Sequence, residues 1–475
     1  MRSIVTYLWL LCMIGLGLDL QAESARPNVV FIFADDQRAD TIAALGNAVI
    51  KTPNLDRLVA QGLSFNRAYM QGGNNGATCV PSRAMLMSGR PLAKIDEKLL
   101  QHETWPQAFG TAGYQTFMSG KWHNGAASAA KAFQTAHQLF LGGMTNPMKA
   151  SLQDILPNGK AGPIKVSKKH GCEVFTDEVV NFIQQQTAES KPYFAYLAFD
   201  GPHDPHIVPE DYPVKYPAES IPLPPNFMPQ HPFNNGEMVI RDELLLPWPR
   251  TELAVRQMLA DYYRYISYLD MQIGRVLDAV AKSPQAKNTI IVFSADSGVA
   301  RGSHGLIGKQ NLYEHSLRVP LIMTGPGIAV NQRTEALCYL FDVLPTLGKR
   351  CGVAAPSTSE GLDFNAVLEN PKNSVRQSLY FGYKKVQKAY MDGRWKLIRY
   401  PQVDQTQLFD LQTDPFELHN LAADPEQNQR VKSMLEALAK AMLADGDQNP
   451  LTAEKVLPAE WKPPTNLPKV KDAGN

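Results

Sequence analysis

Residues 28–37 read Asn-Val-Val-Phe-Ile-Phe-Ala-Asp-Asp-Gln, an apolar run that ends in two adjacent carboxylates, Asp35 and Asp36. The run is short and does not alternate with polar residues, which is typical of a strand covered on both faces. Ligands of open α/β sheets bind beyond the carboxyl ends of strands. Adjacent carboxylates repel each other, so a hard cation between them is one explanation. A helix N-cap followed by an acidic first turn is the other.

Further apolar runs of the same kind predict more strands of this sheet, at 193–199, 289–293 and 320–323. Between them, apolar residues recur at helical spacing at about 53–62 and 253–281. Alternating strands and helices indicate the α/β class, with a large sheet sandwiched by helices.

The pattern changes after about residue 375, where short runs are separated by turn-like residues. These runs predict a small antiparallel sheet, and a helix follows at about 427–443. We therefore predict a catalytic α/β domain at 23–374 and a smaller C-terminal α+β subdomain at 375–475. The four runs lie at 379–381, 389–391, 395–398 and 407–410.

The composition excludes two broad classes of protein. The chain has 475 residues with 47 Lys and Arg, 46 Asp and Glu, a formal net charge of +1 and 44% hydrophobic residues. Intrinsic disorder needs low hydrophobicity and high net charge. A nucleic-acid partner is not expected, because no excess of positive charge is present to neutralise phosphates. A large globular enzyme is the simplest expectation.

The N-terminus predicts a signal peptide at 1–22, because a basic start precedes an apolar run at 4–18 and a small residue, Ala22. A retained anchor is the alternative, although the run is shorter than the ~20 residues that a membrane span needs. We expect a periplasmic or secreted protein without a membrane span after cleavage. Sequence alone does not give the pairing of the remaining cysteines, which are Cys79, Cys172, Cys338 and Cys351.

Other polar clusters follow or lie between the predicted strands. Asp296 is a third acid at a strand end, and a run of donors follows it at 301–318. His203 lies between two prolines that restrict its backbone. Lys121 and His123 are two residues apart on a segment that we predict to be extended, so that their side chains share a face. Each cluster alone could be a surface loop or a hydrogen-bonded histidine, but together they predict one site.

The segment Cys79-Val80-Pro81-Ser82-Arg83 carries the most specific pattern. A free cysteine is often a small buried hydrophobe, and Arg83 one turn away could instead lower the pKa of a thiol nucleophile. Cys-x-Pro-Ser-Arg is also the pattern by which type I sulfatases are recognised, where the cysteine is oxidised to formylglycine. The chain resembles that family, which belongs to the alkaline-phosphatase-like superfamily, along nearly its whole mature length.

The resemblance implies one divalent cation and a set of catalytic residues. Calcium is the expected ion, because it accepts an irregular, carboxylate-rich shell. Where most relatives have Asn, His or Gln after the third acid, this chain has Ser297. Either its hydroxyl, a water or His304 would complete the shell, or the cation would be held by fewer protein oxygens. The implied metal ligands are Asp35, Asp36, Cys79 as formylglycine, Asp296 and Ser297, and the implied catalytic residues are Cys79, Arg83, Lys121, His123, His203 and Lys309.

The resemblance also implies a mechanism of sulfate-ester hydrolysis. A hydroxyl of the hydrated aldehyde would attack sulfur, while Lys121 and Lys309 neutralise the sulfuryl oxygens. His203 or Lys309 would protonate the leaving oxygen. His123 would then take a proton from the second hydroxyl so that sulfate is eliminated, and Arg83 would orient the formylglycine. A formylglycine-generating enzyme is the implied partner during maturation.

Sulfated carbohydrates are the favoured substrates, because secretion fits a large external substrate. Two alternatives stay open at this point: a phosphatase or phosphodiesterase of the same superfamily, and an inactive carbohydrate-binding relative. Four further residues are candidates for the wall of the substrate pocket: His206, Trp248, Arg301 and His304.

Overall fold

The computed structural model describes residues 26–464, so the predicted signal peptide lies outside the described residues. None of the helices in this range is both long and apolar enough to cross a membrane. The strands are, in chain order, β1 (Asn28–Ala34), β2 (Leu63–Phe65), β3 (Ala68–Tyr69), β4 (Gly72–Gly73), β5 (Gln115–Lys121), β6 (Thr135–Phe140), β7 (Ser151–Leu152), β8 (Lys165–Val166), β9 (Tyr193–Ala198), β10 (Thr289–Ala295), β11 (Arg318–Val319), β12 (Leu321–Thr324), β13 (Gln332–Thr334), β14 (Cys338–Tyr339), β15 (Leu379–Tyr383), β16 (Gln387–Met391), β17 (Trp395–Tyr400) and β18 (Gln405–Asp410).

The helices agree with the sequence expectations within about two residues where a helix was predicted. The predicted helix at 253–281 extends over Glu252–Lys282, and the C-terminal one over Asn428–Asp445. The α-helices are, in chain order, α1 (Pro53–Gln61), α2 (Cys79–Ser88), α3 (Trp105–Thr111), α4 (Ala126–Ala132), α5 (Gly171–Gln184), α6 (Glu252–Lys282), α7 (Glu314–Leu317), α8 (Val343–Arg350), α9 (Asn365–Glu369) and α10 (Asn428–Asp445).

The main sheet has eight strands in the order β13-β2-β12-β10-β1-β9-β5-β6. The five strands from β10 to β6 are mutually parallel, and β12 is antiparallel to its neighbours. On β1, Phe31 and Phe33 face one apolar core, whereas Ile32 and Ala34 face another. Helices α1, α5 and α6 cover the second face, and α2, α3, α4 and α8 cover the first. The predicted α/β sandwich is confirmed, and burial on both faces explains why β1 does not alternate.

The smaller sheet has the order β18-β17-β16-β15-β4, and β15 to β18 form the predicted antiparallel meander. Strand β4 is parallel to β15 and comes from Gly72 and Gly73, far earlier in the chain. The sequence did not predict β4, because two glycines carry no hydrophobic pattern. Helix α10 packs on this sheet through Met434, Leu438 and Met442.

The parallel order brings four strand ends to one edge of the main sheet. Strand β1 ends immediately before Asp35, β10 immediately before Asp296, and β5 at Lys121. The loop after β9 carries His203. Since the carboxyl ends of parallel strands meet at the same edge, chemistry from distant parts of the sequence converges there.

Candidate active site

Three buried carboxylates form the floor of the site. Asp35, Asp36 and Asp296 are each at most 2% exposed. The backbone N–H of Asp36 donates to Asp296 Oδ1 at 3.0 Å, and the backbone of Asp36 is in the left-handed region, with φ 63°. The Ser82 hydroxyl donates to the carbonyl of Asp296 at 2.7 Å, which joins the start of α2 to the end of β10. The acid trio is therefore held by the backbone and not by side chains alone.

Each carboxylate has a basic partner. Lys121 Nζ makes an ion pair with Asp35, and Lys309 Nζ lies 2.7 and 2.8 Å from the two oxygens of Asp36. Arg83 lies 3.0 Å from Asp296 Oδ2 and 3.7 Å from Asp35 Oδ2. All six predicted charged residues are thus brought together. The structure also places the Ser297 hydroxyl here, where it donates to Asp36 Oδ1 at 2.9 Å.

The electrostatics of the trio are uneven. Burial raises the pKa of Asp35, but Lys121, His203 and Arg83 outweigh it and hold that pKa below its ordinary value. Burial and the neighbouring Asp35 carboxylate raise the pKa of Asp296. A further positive charge beside Asp296 would therefore stabilise its ionised form.

The donor set fits a hard divalent cation. Asp35 Oδ1 is fully buried and has no hydrogen-bond partner among the described residues. Ligand atoms of Asp35, Cys79 and Asp296 lie within 4.8 Å of one another, as do those of Asp35, Asp36 and His203. Carboxylate oxygens are the ligands that calcium and magnesium prefer. His304 does not approach this shell, because its Nε2 donates to the carbonyl of Glu417 at 3.0 Å.

Cys79 is the first residue of α2, and its Sγ lies 3.1 Å from His123 Nδ1. Burial raises the pKa of Cys79 to about 11, so the thiol is protonated at neutral pH. Burial of Cys79 therefore disfavours the alternative of a low-pKa thiol nucleophile. Burial and then Lys121 lower the pKa of His123 to about 3, so its imidazole is neutral and able to accept a proton.

The predicted extended segment of Lys121 and His123 is wrong in its second half. Strand β5 ends at Lys121, and His123 is in the left-handed region with φ 65°. The turn brings the imidazole to Cys79 while the Lys121 ammonium reaches Asp35. The two side chains serve one site from two directions, because the backbone turns between them.

His203 lies beside the acid trio. Its Nδ1 donates to the carbonyl of Asp204 at 2.8 Å, and its Nε2 lies 3.7 Å from Asp36 Oδ2. Because the Nδ1 position is fixed by this hydrogen bond, Nε2 faces the carboxylates.

A cavity of about 320 Å³ opens above these groups. Cys79, His123, His203 and Lys309 line it, together with residues that the sequence analysis missed. The sequence does contain one signal for Arg241 and Asp242. They belong to a charged run at 241–243 within a segment that has no hydrophobic periodicity. The missed lining residues are Gly76, Ala77, Gly143, Met144, Ile240, Arg241, Asp242 and Gln310.

The four residues predicted for the pocket wall do not line this cavity. His304 stacks on Tyr313 with ring centroids 3.9 Å apart. Buried Arg301 lies 3.2 Å from Nε2 of the half-buried His206, and neither residue lines the cavity. Trp248 packs against the guanidinium of Arg250 and the indole of Trp461. The expectation was wrong because polar and aromatic residues near the motifs are used for packing.

The described cysteines are buried in the fold without disulfide bonds. All four of those described are free and buried. Cys172 Sγ lies 3.3 Å from Asp200 Oδ1, whereas Cys351 Sγ lies 3.7 Å from the carbonyl of Pro27. No disulfide forms among the described residues.

This arrangement of a motif cysteine, three carboxylates and five basic side chains defines a sulfuric ester hydrolase of the kind that the sequence resembled. The family model for sulfatases matches residues 27–353, and the chain belongs to the sulfatase family. The model described as N-sulphoglucosamine sulphohydrolase, C-terminal, matches residues 302–444.

Individual relatives are distant but cover the whole fold. The N-acetylglucosamine-6-O-sulfatase of Bacteroides thetaiotaomicron is 25% identical over 92% of this chain and 89% of its own length. A solved protein in complex with its substrate D-glucosamine-2-N,6-O-disulfate has a TM-score of 0.76 and 22% identity, over 90% of this chain and all of that one. The phosphonate monoester hydrolase of Agrobacterium radiobacter has a TM-score of 0.71 and 21% identity, over 89% and 97%. At these identities the two solved structures show the shared fold alone.

Proposed function

We propose that this sulfatase hydrolyses sulfate esters of carbohydrates, with a formylglycine made from Cys79 and one Ca²⁺ ion. The observation that carries the proposal is the position of Cys79. Its Sγ lies 3.1 Å from His123 Nδ1, in a cavity that is also lined by Lys309, whose ammonium pairs with the buried Asp36. The Cys79 Sγ stands in for one hydroxyl oxygen of the hydrated aldehyde.

The cation would be held by Asp35, Asp36 and Asp296 together with residue 79, and the unpartnered Asp35 Oδ1 supports this placement. Such an ion lowers the pKa of a bound hydroxyl and polarises sulfuryl oxygens. The Ser297 hydroxyl donates a hydrogen bond to Asp36, so less of the acceptor capacity of that carboxylate is left for the cation. Calcium suits this irregular oxygen set better than the strict octahedron of magnesium does.

The side chains of this chain supply charge and proton transfer. Lys121 and Lys309 place fixed positive charge where the transferring sulfuryl group gathers negative charge. Arg83 holds Asp296 and the carbonyl of Lys121, at 2.9 Å, and so fixes the N-terminus of α2 against both strand ends.

Two histidines divide the proton transfers. Neutral His123 accepts the proton of the hydroxyl at position 79 that does not carry the sulfuryl group. Loss of this proton lets the aldehyde form again as sulfate leaves. His203, whose Nε2 faces the acid trio from the cavity wall, donates a proton to the leaving oxygen, and Lys309 is the alternative donor.

The named activity of the Bacteroides relative supports a carbohydrate as the leaving alcohol. The predicted signal peptide supports action outside the cytoplasm, with maturation by a formylglycine-generating enzyme. We propose a catalytic domain that ends at 374 and a subdomain from 375, although strand β4 of the small sheet belongs to the former.

The test compares turnover of 4-nitrophenyl sulfate and 4-nitrophenyl phosphate, with added Ca²⁺ and after chelation. We expect calcium-dependent turnover that favours the sulfate. The Cys79→Ser variant is the matched control, because it keeps a hydroxyl but cannot carry the aldehyde when maturation acts on cysteine. Its activity should fall by about 10⁴-fold or more, as for loss of a nucleophile.

Preference for the phosphate would instead support the phosphatase alternative, which the fold shared with the phosphonate hydrolase keeps in view. No turnover of either ester by the matured protein would support an inactive relative. Either result would contradict the proposal.

A further inference from the structure

Arg241 and Asp242 lie on the cavity wall, and the proposed reaction uses neither of them. They begin the short 3₁₀ helix Arg241–Leu245. The Arg241 side chain is 30% exposed and that of Asp242 15%, so both are accessible from the cavity but not free in solvent. A partly buried pair of opposite charges beside a reaction centre can determine which substrates fit.

The segment is fixed relative to Lys309. Buried Glu243 accepts hydrogen bonds from the backbone N–H groups of Ile307 at 3.0 Å and Gly308 at 2.8 Å. It also pairs with Arg250 at 2.8 Å. Because Gly308 directly precedes Lys309, these bonds set the distance between the 241–242 wall and the sulfate end of the cavity. The wall is therefore pre-organised.

Arg241 is occupied by protein partners. It lies 2.5 Å from Asp204 Oδ2 and 3.2 Å from Asp242 Oδ1. Since Asp204 belongs to the loop of His203, Arg241 connects the two sides of the cavity. Its charge is balanced within the protein, so it offers little net attraction for an additional anionic group.

Asp242 keeps acceptor capacity. Its Oδ2 accepts one hydrogen bond from Gln310 Nε2 at 2.8 Å, and its Oδ1 accepts the one from Arg241. A carboxylate offers about four lone-pair positions, so roughly two stay open for donors. Burial raises the pKa of Asp242, but Lys309, His203 and the hydrogen bond from Gln310 together outweigh it and keep that pKa below its ordinary value, so the group is an acceptor only.

We propose that Asp242 accepts a hydrogen bond from a free sugar hydroxyl next to the scissile sulfate ester. This inference rests on the proposed function and defines its substrate class: sugars that carry the reacting sulfate beside an unmodified hydroxyl. A second sulfate or a carboxylate at that neighbouring position would face the Asp242 charge and be repelled. Asp242 is thus a specificity residue for the leaving alcohol and not for the sulfate.

The test is the Asp242→Asn variant, which keeps the shape of the side chain and can still accept from Gln310. The probes are 4-nitrophenyl sulfate and the 2-, 3-, 4- and 6-sulfates of glucose and galactose. For the best hexose sulfate, kcat/KM should fall about 10- to 100-fold, because the lost hydrogen bond is to a charged group. For 4-nitrophenyl sulfate, which lacks the hydroxyl, it should fall less than about threefold.

Two controls keep the result specific. Asp211→Asn removes an exposed carboxylate and should leave kcat/KM unchanged for both substrates. The deoxy analogue of the best hexose sulfate lacks the neighbouring hydroxyl, so the wild-type enzyme should cleave it with a kcat/KM lower by about the same factor. The Asp242→Asn variant should show no further loss of kcat/KM on this analogue.

Equal losses on both substrates, or no loss on the hexose sulfate, would overturn the inference. A wild-type enzyme that cleaves 4-nitrophenyl sulfate but none of the hexose sulfates would also overturn the inference, while the sulfatase activity would stand. A wild-type protein that cleaves no sulfate ester would contradict the proposed function and this inference with it.

Discussion

Two buried clusters pair a lysine with carboxylates, and only one of them has the properties of a catalytic site. In the catalytic cluster, Lys309 reaches Asp36 at 2.7 Å. In the second cluster, Lys396 of β17 lies 2.9 Å from Glu314 and 2.8 Å from Glu417. Both lysines are at most 4% exposed. Burial and charge pairing are therefore common to the two clusters.

The difference lies in what surrounds the charges. Glu314 also accepts from the Tyr69 hydroxyl at 2.9 Å, and Glu417 accepts from the backbone N–H of Glu314 at 2.8 Å. The second cluster joins the small sheet to the main domain. In the catalytic cluster, Asp35 Oδ1 has neither a hydrogen bond nor an ion pair among the described residues, and Cys79 and Lys309 line the cavity of about 320 Å³. Glu314 of the second cluster also lines a cavity, of about 460 Å³, but Lys396 does not. An open carboxylate oxygen and a reactive side chain beside it, rather than buried charge or a neighbouring cavity, distinguish the reaction centre.

Replacing Lys396 with Met tests the structural side of this comparison and has the largest expected effect. Two carboxylates would remain buried without their cation, so the free energy of unfolding should fall by about 3–5 kcal/mol. The measurement is denaturant unfolding at neutral pH, with kcat of the folded protein unchanged. An unfolding free energy equal to that of the wild type would mean that the cluster does not hold the small sheet.

The matched variant Lys309→Met tests the catalytic side. Because Lys309 lines the cavity and faces the developing charge, kcat/KM for 4-nitrophenyl sulfate should fall about 10²- to 10³-fold, or ~2.7–4 kcal/mol. Circular dichroism confirms that the variant is folded before kinetics are compared. Activity within threefold of the wild type would remove the distinction between the two clusters.

The strand ends were predictable because their physics is local. A short apolar run that stops at Asp35 or Asp296 must leave the buried sheet at that point, and parallel strands gather such ends at one edge. The motif around Cys79 added the chemistry that the pattern alone left open. Lys309 and His203 already lay in the polar clusters that the pattern singled out, and the resemblance added their roles.

The cavity wall was not predictable, because its residues come together only in three dimensions. Arg241 and Asp242 follow a segment without periodicity, and their place depends on hydrogen bonds that Glu243 accepts from the backbone of a distant loop. The turn at His123 was missed, since a positive φ at a histidine has no marker in the sequence. His304 was assigned to the wall because a polar residue near a motif cannot be separated, by sequence alone, from one that packs.

Mass spectrometry of the tryptic peptide 68–83 tests the central claim most directly. The protein should be isolated from its own organism, or from a host with formylglycine machinery, and digested without reduction. We expect the thiol of Cys79 to be replaced by an aldehyde, and the modified fraction to track 4-nitrophenyl sulfate turnover across preparations. An unmodified Cys79 in active protein from its own organism would contradict the account.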